Sequence, residues 1–171
     1  MTYAGRDMQD ADSHIFETPD FYYPFMDKAV LDKAQPLYSG SSGFTATHFN
    51  EAVAKHKDPA FVAARESELM QRKLWDAMGA FEKDDRSKAL DLLGFKRQIV
   101  YDSFLRLQLR EYEQGDDMDF LYGLARAHVR AMVDFCSGDE RLIAAGYVPL
   151  ADPERSVAAM KFALDQGCKA V

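Results

Sequence analysis

The chain has 171 residues, of which 47% are apolar and 29% charged, and its formal net charge is -7. Those values fit one globular domain large enough to bury a substantial core. The acidic balance and the lack of a clustered Lys/Arg run argue against nucleic acid as a partner, because phosphate binding needs concentrated positive charge.

Gln9 to His14 reads as a first strand. Thr18 to Gln35 is aromatic and mixed, punctuated by Pro19, Pro24 and Pro36, and Ser39 to Gly43 is the clearest loop. Asp58-Pro59 supplies an N-cap and a proline at the first helical position, predicting a helix to about Phe81 with Val62, Leu69, Leu74, Met78 and Phe81 on its apolar side. Lys83 to Arg86 reads as a solvated break, after which Ser87 caps a shorter helix ending at Gly94. Arg97 to Tyr101 is predicted as the second strand. Met118 to Cys136 has the best helical periodicity, through Met118, Leu121, Ala125, Val129, Met132 and Cys136. Leu142 to Leu150 is nearly continuous in apolar residues, as a strand covered on both faces of a parallel sheet would be. Asp152-Pro153 starts a helix with Val157, Met160 and Leu164 as its apolar stripe, Gly167 closes it, and Cys168 to Val171 begins a fourth strand.

Strands alternating with helices imply parallel βα units with right-handed crossovers, whose functional residues lie at the carboxyl ends of strands. Four such units are half of an eight-stranded barrel, which typically needs roughly 250 residues. The expected class is therefore α/β: a TIM-type (β/α)8 barrel of which residues 1–171 form the N-terminal part of a single domain, with a helical insertion at about 36–93. On this expectation the native chain continues past Val171. A chain complete at Val171 would expose sheet edges and apolar helix faces, and would dimerise or aggregate.

Met1 to Met8 lacks the apolar core of a signal peptide. The longest nearly apolar run, Leu142 to Ala151, is too short to span a bilayer and contains Gly146 and Pro149. Cys136 and Cys168 have no metal-finger spacing and read as buried, reduced thiols. The expected setting is cytoplasmic, with no membrane partner.

Asp12-Ser13-His14 is the chief chemical candidate. In a strand, residues i and i+2 share a face, so a carboxylate and an imidazole converge as two donors to a divalent ion. The alternative is a solvated acid and a capping histidine. Asp10 shares that face and reads as a strand-entry residue rather than a third donor. Glu17 is either a partner that orients a metal ligand or a helix-start carboxylate. Tyr101 and Ser103 follow the second strand and either line a substrate pocket or pack a loop. Arg106 and Arg110 either hold a substrate carboxylate or form a solvated face. His48 and His56 are expected at the surface, His128 as a hydrogen-bonded core residue, and Trp75 in the core or an interface.

Gln9-Asp10-Ala11-Asp12-Ser13-His14 with Glu17-x-Pro19 resembles the opening of the amidohydrolase-related enzymes of the aminocarboxymuconate-semialdehyde decarboxylase type. Asp134-Phe135-Cys136, Asp139 to Ile143, Val148-Pro149-Leu150, Asp152-Pro153-Glu154 and Gly167 to Val171 are similar, in order, to that family's third and fourth strands. The resemblance is weak through Pro36 to Ala80, and His128-Val129 stands where the family often has Asn after an aromatic residue.

The resemblance implies a metal-dependent (β/α)8 barrel in which Asp12 and His14 match the first-strand ligand pair. Two further His ligands and a late Asp would lie beyond Val171, as would the catalytic residues. The implied ion is zinc, with manganese as the alternative, the implied substrate a small carboxylic or aromatic acid, and the implied assembly a homodimer. Two chemistries follow: hydrolysis, in which the ion lowers the pKa of water toward neutrality, and non-oxidative decarboxylation, in which it stabilises charge as carbon dioxide leaves. The contrasting expectation is a catalytically incomplete half-barrel or degenerate homologue that acts only as a binding module.

Overall fold

The structure is a computed structural model that describes residues 5–37, 43 and 45–171. The loop expected at Ser39 to Gly43 lies, apart from Gly43, outside the described residues. Three parallel strands form the sheet: β1 (Met8–His14), β2 (Phe95–Tyr101) and β3 (Leu142–Ala144), in the order β1-β2-β3. Beyond β3, Ala145 bridges Ala170 in parallel, with the Gly146 amide donating to the Ala170 carbonyl at 2.8 Å. This bridge stands where the fourth strand was expected.

The helices are α1 (Lys28–Leu31), α2 (Ala46–His56), α3 (Pro59–Ala64), α4 (Lys83–Leu93), α5 (Leu105–Tyr112), α6 (Met118–Cys136) and α7 (Pro153–Gln166). Local cap chemistry accounts for several of their starts. Asp58 accepts from the Ala60 amide, Asp117 from Phe120, and Asp152 from Glu154 and Arg155, each satisfying amides that a helix start leaves unbonded. Gly94 ends α4 at φ 77°, a conformation that costs glycine nothing. Among the described residues, no helix is long and apolar enough to cross a membrane.

One sheet face is covered by helices. Ser13, Val100 and Ala144 align across the strands and are buried, and Val100 and Ala144 join Leu90, Val129, Met132, Phe135 and Ala163 in one core. The other face carries His14, Ile99, Tyr101 and Ile143, all only partly buried. A second core, with Tyr22, Trp75, Phe104, Leu105, Leu109 and Leu121, gathers the segments that follow β1 and β2 around α5 and α6.

Four local expectations are corrected. The helix expected from Pro59 to Phe81 ends at Ala64. Arg72 turns the chain back on α3, bonding the Phe61 carbonyl at 2.7 Å and covering the Phe61 ring at 3.6 Å. Leu74 then takes φ 57°, and Trp75 enters the core. The break expected at Lys83 to Arg86 is the first turn of α4, and Arg86 is buried. The third strand stops at Ala144 rather than Leu150. Past it, the Tyr147 amide turns to His128, and the Pro149 carbonyl accepts from the Tyr122 and Ser156 hydroxyls. Finally, α7 presents Ser156 and Ala163 inward, leaving Val157, Met160 and Leu164 at 48%, 39% and 52% exposure. Small residues let α7 lie close to α6, where Ser156 meets the Tyr122 hydroxyl at 3.0 Å. Val157, Met160 and Leu164 therefore point away, while Phe162 packs partly buried against the core.

Candidate functional site

β1 does not run regularly into its carboxyl end. Asp10 pairs with Gln98 and Ser13 with Val100, so Ala11 and Asp12 together oppose Ile99. This is a β-bulge, a device that re-aims side chains near a strand end. The Asp10 carboxylate steadies it, accepting from the Asp12 amide at 3.1 Å and from Gln98 Nε2 at 3.1 Å. Asp10 was expected at the strand entry and on the face of His14; it instead lies within β1, paired with Gln98 on the opposite face from Tyr101 and His14, because the bulge shifts the register between them.

The bulge brings Asp12 Oδ1 to 3.4 Å from His14 Nε2, with side-chain exposures of 91% and 31%. Both residues, with Arg86, line a cleft of about 460 Å³. Two donors held about 2.0–2.2 Å from a tetrahedral ion stand about 3.3–3.6 Å apart, so the observed separation fits a shared divalent cation. His14 Nδ1 donates to the Asp102 main-chain carbonyl at 2.8 Å. A carbonyl can only accept, so Nδ1 carries a proton, and in the neutral ring the lone pair is on Nε2 and faces Asp12. Metal-ligating histidines have this arrangement, with the second ring nitrogen tied to a carbonyl or carboxylate. Among the described residues, no group of three or more His, Cys, Asp or Glu side chains is placed to hold a metal.

The other sequence candidates gather around the same strand ends. Tyr101 is the strand partner of His14, and their rings lie 5.7 Å apart. The Ser103 hydroxyl donates to the Ile15 carbonyl at 2.7 Å and lies 3.4 Å from His14 Nδ1. Glu17 is fully buried. Its carboxylate accepts from the amides of Ser103, Phe104 and Leu105 and from the Tyr22 hydroxyl, at 3.0–3.3 Å. It therefore grips the turn after β2, whose Asp102 carbonyl holds His14. Burial, and then the charge of Asp102, push the Glu17 carboxyl up to about 7, against the pull of the amide donors.

Arg106 and Arg110 are exposed on α5, as a solvated face requires. His56, expected at the surface, is largely covered: it contacts Glu82 at 3.0 Å and the Trp75 carbonyl at 2.9 Å, and packs on Phe61 and Phe81. His48 bonds the Thr45 amide at the exposed start of α2. Cys136 and Cys168 are buried and form no disulfide. Burial pushes their thiols up to about 12 and about 11, so neither offers a thiolate near neutrality.

Two residues of this neighbourhood have roles that the sequence did not assign, although Asp102 follows the second strand with Tyr101 and Ser103. Asp102, one residue past β2, is buried and accepts from His128 Nε2 at 3.2 Å and from the Arg106 amide at 2.7 Å. Burial would raise its pKa, but the His128 imidazole and the Arg106 amide outweigh that and hold it below the usual carboxylate range. Arg86 reaches under β1 to the His14 and Gly79 carbonyls and to the Ser13 hydroxyl. Position was the available signal for Asp102, which directly follows the strand partner of His14. No comparable signal marked Arg86. No protein-family model matches this chain, and no curated protein matches it.

Proposed function

We propose that this chain is part of a metal-dependent enzyme resembling the amidohydrolase-related decarboxylases, with Asp12 and His14 donating to a divalent ion. The observation that carries the reading is the 3.4 Å approach of Asp12 Oδ1 to His14 Nε2, with His14 Nδ1 anchored on the Asp102 carbonyl. Two like electron-pair donors face each other stably only with a cation or a proton between them. The strand order gives further support: β1, β2 and β3 lie side by side in sequence order, all parallel, with one face half open. Parallel sheets occur almost only with both faces covered, as in barrels and doubly wound folds. We therefore read the sheet as part of a (β/α)8 barrel whose inner face carries His14 and Tyr101.

Zinc is the proposed ion, with manganese as the alternative. Bound there, it would act as a Lewis acid on a substrate oxygen. The proposed substrate is a small carboxylic or aromatic acid, undergoing hydrolysis or loss of carbon dioxide. Tyr101 would contact it beside His14, while Glu17 and Ser103 hold the loop behind the pair. The buried thiols of Cys136 and Cys168 support a reducing, cytoplasmic setting.

The second reading, a non-catalytic binding module, has its own observation. The same 3.4 Å suits a plain imidazolium–carboxylate pair, and no third donor stands near it among the described residues. Calorimetric titration of zinc into chelator-treated protein separates the two. The metal reading expects saturable binding that weakens at least about tenfold in Asp12→Asn and in His14→Gln. Equal affinity in wild type and both variants would overturn it.

A further inference from the structure

The exits of all three strands are joined by one chain of hydrogen bonds that runs through the interior. The Tyr147 amide, past β3, points at His128 Nδ1 at 3.4 Å. An amide N–H can only donate, so His128 Nδ1 is the acceptor and its proton sits on Nε2. That proton is directed at Asp102 Oδ1, 3.2 Å away. The main-chain carbonyl of the same Asp102 receives the Nδ1 proton of His14 at 2.8 Å. Every donor in the sequence meets an acceptor, and reversing any one bond would set two lone pairs or two protons against each other.

His128 has little freedom to move. It is almost completely buried on α6, and its ring stacks on Tyr22 at 5.8 Å with 17° between the planes. Asp102 is gripped at both carboxylate oxygens, by His128 and by the Arg106 amide. Its backbone, and with it the carbonyl that His14 meets, is thus fixed from the α6 side. Packing alone does not require a histidine here, because an apolar residue would fill the space. It would, however, leave the Asp102 carboxylate buried with one partner fewer.

We propose that the buried His128–Asp102 pair is a positioning device for His14, which keeps the His14 proton on Nδ1 and presents the Nε2 lone pair toward Asp12. The effect on His14 stands on geometry alone, and the consequence for metal binding rests on the reading of Asp12 and His14 as donors. His128 and Asp102 are positioning residues, since neither lines the cleft with its side chain. A purely structural role would lower stability when His128 is replaced and leave the His14 tautomer unchanged.

The test is long-range 1H–15N NMR of the histidine rings of the 171-residue chain at pH 8.5, with zinc affinity measured on the same samples. Wild type should show His14 as the Nδ1–H tautomer. His128→Leu should move His14 toward the Nε2–H form and weaken zinc binding about 10–100-fold, the range typical of lost partners behind a metal ligand. His128→Gln should restore both, because its amide can donate to Asp102 and accept from Tyr147. Should the leucine variant fail to fold, Asp102→Ala leaves His128 no side-chain acceptor, removes the same bond and should shift the tautomer in the same direction. A His14 that stays on Nδ1–H in folded His128→Leu or Asp102→Ala would overturn the proposal while leaving zinc binding by wild type intact. A tautomer shift with no zinc binding by wild type would support the device and sink only the metal reading.

Discussion

The Glu17 carboxylate accepts three backbone amides and one hydroxyl, yet binds its proton up to about pH 7. Its native pKa thus lies above the ordinary 4.5, so between those values the native state holds more proton than the unfolded chain. The stability this gives is fully present below pH 4.5 and is lost as pH rises through about 7. The cost of the ionised form above that window is on the order of 3 kcal/mol. Asp102 has the opposite sign: its pKa is depressed from 3.8, so its contribution is lost only in more acidic solution. Urea denaturation should therefore find wild type more stable at pH 5.5 than at pH 8, with Glu17→Gln losing most of that difference. An unchanged pH slope in the variant would contradict the assignment. Asp12 and His14 could be picked out in the sequence because their chemistry lies in side chains two residues apart, although the bulge that joins them could not. Asp102 was legible by its place after the second strand but not by its role, because what it gives His14 is a main-chain carbonyl, which every residue possesses.

Helix starts at Asp58-Pro59 and Asp152-Pro153 could be read because a cap bonds amides only two or three residues away. The extent of α3 and the start of α4 could not, because distant contacts set them. Gly79 shows how: it adopts φ 71°, and a Cβ there would stand 2.6 Å from Arg86 Cα and 2.8 Å from Arg86 N. This close approach seats the first turn of α4 under β1 and delivers the Arg86 guanidinium to the Ser13 hydroxyl and the His14 carbonyl. Gly79→Ala should then cost more than about 2 kcal/mol, because it adds a backbone clash to conformational strain. At Gly167, with φ 112°, a Cβ would meet only Val133 Cγ1 at 3.9 Å, so Gly167→Ala has only the left-handed conformation to pay for and should cost about 1 kcal/mol. Equal losses in the two variants, by urea denaturation, would refute the close-packing account. α7 differs from its apolar periodicity for a related reason: its fully buried residues, Ser156 and Ala163, are small, and their value lies in close approach rather than in hydrophobicity.

Across the whole molecule, apolar side chains remain exposed among the described residues: the Val157, Met160 and Leu164 stripe of α7, Met70 and Leu74 at the cleft, and Leu150, while Ile99 and Ile143 on the open sheet face are only partly buried. Such surfaces favour association. Sedimentation of the 171-residue chain should show concentration-dependent self-association, which Val157→Lys with Leu164→Lys reduces. Because those side chains are exposed, the same change should shift stability by no more than about 0.5 kcal/mol. A chain that sediments as a monomer at all concentrations would count against this. The alternation of strands and helices was readable from periodicity, whereas the order and the half-open face of the sheet depend on pairing between distant segments. The claim that joins these observations is that Asp12 and His14 share one ion, and X-ray absorption of the zinc-loaded protein tests it most directly. The account predicts nitrogen and oxygen scatterers at about 2.0–2.2 Å with an imidazole signature that diminishes in His14→Gln. A zinc spectrum identical in wild type and His14→Gln would contradict it.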